Sequence, residues 1–215
     1  MLISLAFSSV YSLPYFKESD DATVIQFMRE NPFVVITGSD KNGKPVASQI
    51  PVFVDERDGK MFLSGHIMRQ TDHHLAFVEN SEVLVLFTGA HCYVSASWYV
   101  EPKQASTWNY MTVHARGKLN FLDSAALIAV LKRTTDHFEG SDNTPGAFDH
   151  LPEEYVQRLS KAIIAFEIEV EDIQNVFKLS QNRDKTSYLN IIDKLESRPD
   201  EDSRTIAVEM KKRLV

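Results

Sequence analysis

A short segment between a predicted strand and a predicted helix, residues 64–71, carries residue types that can hold a phosphate group. Gly65 allows a ligand to approach the backbone closely, because it has no side chain. Arg69 can bind a phosphate through two parallel hydrogen bonds. The first turn of the following helix would add free N–H groups and the positive end of its dipole. This pattern predicts a phosphate cradle. A solvated Arg69 and a glycine that only turns the chain remain an equal alternative.

Aromatic side chains form a second group on both sides of a predicted loop. Trp98 and Tyr99 precede the loop, and Trp108, Asn109 and Tyr110 follow it. Planar rings can stack on a planar ligand, and the amide of Asn109 could hydrogen-bond with the edge of that ligand. Before any family is considered, a cluster of aromatic residues in the hydrophobic core is the more ordinary explanation.

A third polar group occupies residues 178–183, directly after Phe177. Lys178 and Arg183 supply two cations, and Gln181 and Asn182 supply two amides. These cations and amides could bind a ligand or form contacts between two subunits of a dimer. The start of an ordinary helix explains it equally well.

Other kinds of site have less support. None of the seven histidines has the spacing of a zinc-binding motif, so we expect no metal site. No Gly-x-Ser-x-Gly elbow is present, and no side chain stands out as a catalytic acid or base. The single cysteine, Cys92, cannot form a disulfide within the chain. It lies in an apolar and aromatic run, where we expect it to be a small buried residue.

Composition narrows the functional classes further. The chain has 215 residues, of which 43% are hydrophobic and 25% are charged, as in an ordinary globular protein. A net charge of −7 argues against a general electrostatic attraction to nucleic acid or to an anionic membrane. The apolar run that begins the sequence lacks a basic region before it and is far shorter than a membrane span. We therefore interpret residues 1–12 as an N-terminal extension of a cytoplasmic protein.

The elements that must position these groups are mostly strands joined by short turns. Strands are predicted at residues 33–37, 45–55, 61–65, 82–88, 91–99 and 108–122, and helices at residues 19–31 and 69–80. A closed antiparallel barrel suits such a string, because closure removes exposed edges. Residues 123–215 are predicted to be helical additions with one late strand near 163–170. We expect a single domain over residues 1–215.

Taken in order, these segments resemble the PaiB-type branch of the FMN-binding split-barrel proteins. The resemblance extends over nearly the whole chain. Its most specific parts are the runs His-Cys-Tyr-Val-Ser-Ala-Ser-Trp-Tyr at 91–99, Thr-Trp-Asn-Tyr at 107–110 and Lys-Leu-Ser-Gln-Asn-Arg at 178–183. Shorter matching pieces lie at residues 13–16, 31–33, 47–52, 64–66 and 113–117.

The resemblance implies a mainly β fold, a six-stranded antiparallel split β-barrel with flanking helices, which forms a homodimer and holds FMN at the subunit interface. It implies that one subunit contacts FMN through Gln49, Ile50, Pro51, Ser64, Gly65, His66, Arg69, Gln70 and Thr71. It implies that the partner subunit contributes Trp108, Tyr110, Thr112, Lys178, Gln181 and Arg183.

Two positions depart from the family pattern. The family usually has histidine where this chain has Gln49, which can still donate a hydrogen bond to a flavin carbonyl but cannot transfer a proton. The family tends to read Ala-Asn-Pro where this chain has Gln70-Thr71-Asp72. A carboxylate at Asp72 would repel a phosphate unless it caps the helix and points away.

By this resemblance the leading function is that of a flavoprotein, either an FMN-dependent oxidoreductase or a redox sensor. One alternative is a negative transcriptional regulator that acts through a partner or on DNA. The acidic charge disfavours direct DNA binding, and the sequence shows no helix-turn-helix. A further alternative is a haem-handling protein with His66, His91 or His114 as an axial ligand.

Overall fold

The computed structural model describes residues 13–140 and 144–214, so the predicted extension over residues 1–12 lies outside the described part. The strands are β1 (Phe33–Ser39), β2 (Pro45–Pro51), β3 (Phe53–Arg57), β4 (Lys60–Met68), β5 (Glu82–Val94), β6 (Thr107–Phe121) and β7 (Ile163–Lys178). The α-helices are α1 (Asp21–Glu30), α2 (Asp72–Glu79), α3 (Ser124–Glu139), α4 (Glu153–Ser160), α5 (Lys185–Glu196) and α6 (Glu201–Lys212).

The strands form one sheet in the order β2-β1-β5-β6-β7-β4-β3. The pairs β1–β2, β1–β5, β3–β4 and β4–β7 are antiparallel, with Val35 opposite Gln49 and Gly65 opposite Phe166. The predicted fold class, an antiparallel sheet flanked by helices, is confirmed. The sheet has seven strands in the described residues, whereas the family resemblance predicted six.

Two predicted boundaries differ from the structure: the predicted strands 82–88 and 91–99 form one continuous strand, β5, which ends at Val94, and the predicted strand 45–55 divides at Val52. Before this point β2 pairs with β1, and after it β3 pairs with β4. The Val52 N–H donates to the carbonyl of Pro32 at 2.9 Å, and its side chain is buried. The chain therefore changes partners without a turn that the sequence could have revealed.

Strand β7 is longer than predicted. The acidic pair Glu171 and Asp172 made the hydrophobic pattern appear to end near residue 170, but the strand continues to Lys178. On β6, Lys118 lies 3.2 Å from Glu171 and Arg116 lies 3.8 Å from Asp172. Residues 178–183 consequently follow the end of a strand, and the alternative that they begin a helix is wrong.

The described residues form two compact units. The first unit contains residues 13–27, 88–113 and 174–214, and the second contains residues 28–87, 114–140 and 144–173. Strands β5, β6 and β7 each pass from one unit into the other along the chain. Across the described residues, no helix has both the length and the apolar character that crossing a bilayer requires.

Each unit has its own apolar core. In the first unit, Phe27 and Phe177 pack with ring centroids 5.1 Å apart. Helices α5 and α6 contact each other, and Ile191 and Met210 on them are fully buried. In the second unit, strands contribute Ile36, Leu63, Val85, Phe87, Phe166 and Ile168. Burial of such side chains is worth about 1.5–3 kcal/mol each, which makes these cores the main stabilising element.

Three helices begin at aspartate residues that satisfy free backbone N–H groups. Asp123 accepts from Ala126 at the start of α3, Asp184 from Ser187 at α5, and Asp200 from Ser203 at α6. A cap of this kind stabilises a helix by about 1 kcal/mol. The hydrogen bonds with Ser187 and Ser203 lower the pKa of Asp184 and Asp200 respectively.

Gly117→Ala is expected to destabilise the fold strongly, because an added Cβ at this position on β6 would overlap the backbone carbonyl of Glu169 on β7. We expect a loss of about 2–3 kcal/mol in the free energy of unfolding, the upper range for overpacking. Urea unfolding measures it. The matched control is Gly43→Ala, where φ is +80° and nothing lies within 4 Å, so only the left-handed backbone costs about 1 kcal/mol. An equal or smaller loss at Gly117 would contradict this account.

Candidate functional site

The segment after β4 is shaped by one left-handed residue. Gln70 has φ of 61°, and its N–H donates to Nδ1 of His74 at 3.3 Å. The next residue, Thr71, is the N-cap of α2, and its hydroxyl accepts from the N–H of His74 at 3.3 Å. The helix predicted from residue 69 therefore starts at Asp72, because residues 70 and 71 adopt non-helical conformations.

The neighbouring Asp72 points its carboxylate at its own helix. Its Oδ1 accepts from the N–H of His73 at 2.7 Å and lies 3.3 Å from Nδ1 of the same residue. The hydroxyl of Thr71 donates to the carbonyl of Met68 at 3.0 Å. Thr71 and not Asp72 is the N-cap of α2, and Asp72 occupies the first helical position, where its carboxylate interacts favourably with the positive end of the helix dipole.

Arg69 is held by the first residue of β7. Its Nε donates to the carbonyl of Ile163 at 2.9 Å, and its backbone N–H donates to the carbonyl of Ala162 at 2.8 Å. Its side chain remains exposed. One hydrogen bond therefore fixes the backbone of Arg69 and the other restricts its guanidinium group, which is still open to solvent.

Arg69 lines a cavity of about 290 Å³ in the second unit, which we call the Arg69 cavity. Lys161 adds a second cation, and Ser124 and Ser160 add two hydroxyl groups. Asp123 also lines it, but its carboxylate accepts from the N–H of Ala126 at 2.9 Å as the cap of α3. Two cations and two hydroxyls are the donors that a phosphate group requires.

Lys161, Ser124 and Ser160 were missed by sequence reasoning. They lie at the end of α4 and at the start of α3, far along the chain from Arg69 and outside any recognisable motif. The available signal was that Lys161 lies two residues before the predicted late strand. The start of that strand is where Arg69 is anchored.

Gly65 has a packing role that needs no ligand. A Cβ at this residue would lie 2.9 Å from Cζ of Phe166 and 2.9 Å from the carbonyl oxygen of Pro51. Ser64 is buried beside it, with Oγ 3.5 Å from Asp55 Oδ2. The glycine therefore lets an aromatic ring and a neighbouring strand approach β4.

Asp55 in turn binds Arg133 through two hydrogen bonds, of 2.6 and 2.8 Å. These bonds lower the pKa of Asp55. Ser64 is thus part of a local polar network inside the second unit.

The remaining predicted contacts of the second unit lie on β2 and β4. Ile50 is buried in the core, whereas Gln49 is exposed, as alternation along a strand requires. Pro51 is half-buried at the strand end. His66 is half-buried, and burial lowers its pKa, so it is neutral at pH 7.

The other histidines proposed as axial ligands have different environments. Burial, followed by the charge of Arg116, lowers the pKa of His114 on β6. In the first unit, His91 is exposed and its Nδ1 lies 3.5 Å from Asp202. Cys92 beside it is buried, which raises its pKa to about 12, so the prediction of a small buried residue is confirmed.

In the first unit, one side of β6 carries Trp108, Tyr110 and Thr112. Together with Gly89 and His91 of β5 they line a cavity of about 320 Å³, which we call the aromatic cavity. Trp108 is 52% exposed and its ring centroid lies 6.0 Å from those of His91 and Tyr93. Three of the six predicted partner contacts therefore come together.

The alternate residues of β6 serve a different region. Asn109 is fully buried, accepts from the Ser180 hydroxyl at 3.0 Å, and lies 3.6 Å from the Met210 sulfur. Its amide is engaged by Ser180 and Met210 inside the first unit, and Asn109 also lines a cavity beside Lys178 and Arg183. Tyr99 is also buried, beneath the guanidinium of Arg183 at 4.0 Å. The aromatic residues around the loop therefore do not form one stacking platform.

The turn after β7 presents the other predicted partner contacts. Ser180 has φ of 63°, and Gln181 folds back so that its amide donates to the carbonyl of Phe177 and accepts from the N–H of Leu179. Gln181 therefore braces the turn. Lys178 donates from Nζ to the Thr107 hydroxyl at 2.6 Å.

Lys178 and Arg183 line a cavity of about 230 Å³, which we call the basic pocket. Its other polar walls include Thr107, Ser106 and Asn182. Five of the six predicted partner contacts are thus divided between this pocket and the aromatic cavity, and Gln181 lines neither of them.

The chain matches a known family. The family model described as "Putative FMN-binding domain" matches residues 10–172. The protease synthase and sporulation protein PAI 2 of Bacillus subtilis (strain 168) is 32% identical over 205 residues, a match that covers 95% of this chain and 98% of that protein.

Solved structures show the same fold at low sequence identity. The FAD and heme binding protein from Mycobacterium smegmatis superposes with a TM-score of 0.56 at 16% identity, over 76% of this chain and 73% of that one. A conserved hypothetical protein from Mycobacterium tuberculosis gives a TM-score of 0.54 at 12% identity, over 78% and 89% of the two chains.

The resemblance found in the sequence is therefore confirmed, and FMN is the cofactor for which the family is described. The chain belongs to the FMN-binding split-barrel family, in its PaiB-type branch.

Proposed function

We propose that this protein binds FMN between two copies of the chain and uses it for electron transfer, as an oxidoreductase or a redox sensor. The observation that carries the proposal is the Arg69 cavity, where Lys161, Ser124 and Ser160 join an arginine fixed by the backbone of β7. FMN would supply the redox chemistry itself, because no side chain of the protein can accept a hydride.

The donors in the Arg69 cavity fit the phosphate end of FMN. Arg69 and Lys161 would neutralise a phosphate, and the serine hydroxyls would donate to its oxygens. The cavity of about 290 Å³ is at the lower limit for a ligand pocket, so it would hold the phosphate end and leave the ring system outside. Half-buried, neutral His66 and exposed Gln49 would remain available as hydrogen-bond donors.

A second copy of the chain would supply the other wall. The aromatic cavity combines an exposed indole, that of Trp108, with Tyr110 and Thr112, and its volume is about 320 Å³. An exposed aromatic residue beside an apolar cavity is typical of an interface or a ligand site. A flat ring system would be covered by this surface when two subunits meet.

Arg69→Ala and Lys161→Ala should each weaken FMN binding by about 10- to 100-fold, the value of one charge-assisted hydrogen bond. The affinity for riboflavin, which lacks the phosphate, should fall less than threefold. Titration followed by flavin fluorescence measures both ligands. Lys44→Ala is the control, since Lys44 is an exposed lysine outside the cavity. Equal losses for FMN and riboflavin would refute the phosphate role, and no FMN binding by the unmodified protein would refute the function.

Light scattering after size-exclusion chromatography should give twice the 24.5 kDa of one chain. Trp108→Asp should shift the protein toward the monomer and weaken the binding of both FMN and riboflavin, because it places a charge on the proposed interface. Lys60→Asp on β4, an exposed residue outside the aromatic cavity, should change neither property. A monomer that still binds FMN with unchanged affinity would eliminate the shared site.

A second candidate function is regulation. It is favoured by the 32% identity, over nearly the full length, to a protein named for protease synthesis and sporulation. With a net charge of −7, this chain would act through a protein partner whose binding depends on the flavin. A salt-dependent gel shift with purified protein and promoter DNA would instead support direct binding.

A further inference from the structure

The basic pocket concentrates positive charge without a lining carboxylate. Lys178 and Arg183 both line it, and none of the described residues around it is acidic. Burial, followed by the charge of Arg183, lowers the pKa of Lys178. Two like charges that share a cavity raise its energy, and an anion placed between them would relieve that cost.

Three acidic residues of the first unit already interact with other groups. Asp184 accepts from the N–H of Ser187 at 2.9 Å, and Glu18 lies 2.8 Å from Arg213. Glu101 accepts from the Gln104 amide at 2.7 Å. None of these carboxylates lines the basic pocket.

Both cations are held in place before any ligand arrives. The Lys178 ammonium donates to the Thr107 hydroxyl at 2.6 Å, and the Arg183 guanidinium stacks over Tyr99 at 4.0 Å and contacts Gln104. The turn between the cations is braced by Gln181 and by the Ser180–Asn109 hydrogen bond. Pre-organised cations of this kind bind an anion with little loss of conformational entropy.

The rest of the pocket suits a small organic anion. Tyr15 and Phe16 form an apolar wall, and their ring centroids lie 4.4 Å apart in an edge-to-face arrangement. Asn182, Ser106 and Thr107 add neutral hydrogen-bonding groups. A cavity of about 230 Å³ is smaller than typical pockets for whole cofactors, so it fits one charged group with a short apolar extension.

We propose that the basic pocket is an anion-binding subsite that takes the carboxylate or phosphate of a small molecule, with Lys178 and Arg183 as the charged contacts. It deepens the proposed function, because such a molecule would be the electron donor or acceptor of the flavin. The role of the bound molecule as electron donor or acceptor rests on FMN binding, whereas the anion-binding site itself does not. The same chemistry could come from the phosphate of FMN itself, and the experiment separates the two sources.

The test is thermal unfolding of the full chain in increasing concentrations of inorganic phosphate, with and without saturating FMN. Phosphate should raise the melting temperature in a saturable way, because it binds the folded state. Lys178→Gln should weaken the fitted phosphate affinity at least tenfold. Lys178→Arg should restore it, and Lys185→Gln, the same change on an exposed lysine of α5, should leave it unaltered.

The Arg69 cavity can itself hold phosphate, so the Arg69→Ala protein serves as a control. In that protein, the part of the phosphate-induced rise in melting temperature that Lys178→Gln removes must still be present. If Lys178→Gln does not fold, Asn182→Asp replaces it, because it adds a negative charge at an exposed wall of the pocket. Phosphate binding that persists with FMN bound assigns the pocket to a separate molecule. Binding that FMN abolishes in the Arg69→Ala protein assigns it to the phosphate of the flavin.

Absence of any phosphate effect, or an equal effect in the unmodified protein, Lys178→Gln and Asn182→Asp, would overturn the proposal. Failure of the protein to bind FMN would refute the proposed function separately. The phosphate titration without FMN would still decide whether the pocket binds anions.

Discussion

The backbone of β7 is the constraint on which both the Arg69 cavity and the basic pocket depend. The carbonyl of its first residue, Ile163, accepts the Nε hydrogen bond that positions Arg69, and its last residue is Lys178. A strand of 16 residues paired within a sheet is among the least mobile parts of a protein. Arg69 is thereby held by a main-chain carbonyl and Lys178 extends from the strand itself, so that an anion bound at either residue does not have to order a flexible loop. Shortening this strand to residue 170, as the sequence pattern suggested, would have separated Lys178 from the sheet.

Local charge matters more here than net charge. The protein carries −7 overall, yet the Arg69 cavity and the basic pocket each contain two cations. Among the described residues that line the Arg69 cavity, Asp123 is the one acid and is engaged by the N-terminus of α3, and no described residue that lines the basic pocket is acidic. Net charge acts over distances at which salt screens it, about 8–10 Å, whereas a bound phosphate feels its immediate neighbours. An acidic protein can therefore still offer local surroundings that favour an anionic ligand.

The elements of the fold were largely predictable, because helix caps, turns and the two-residue period of strands are local properties. Strand β6, helix α1 and the buried state of Cys92 agree with the sequence patterns to within a residue or two. The errors have specific causes. Val52 changes strand partners through a hydrogen bond to Pro32, α2 starts late because Gln70 is left-handed, and the acids of β7 are matched by bases on β6. Each cause involves a partner distant in sequence or an unusual backbone angle at an ordinary residue.

The sequence by itself determined the family, the cofactor and the individual residue types that could bind it, since these depend on order and spacing along the chain. Tertiary structure decided which of those residues meet. It brought Lys161 to Arg69 and Thr107 to Lys178, buried Asn109 against Ser180, and gave Gly65 a packing role against Phe166. It also divided five of the six predicted partner contacts between two cavities and used the sixth, Gln181, to brace a turn. The physical reason is that alternate residues of a strand point to opposite sides, while the pairing register between distant strands determines which side chains become neighbours.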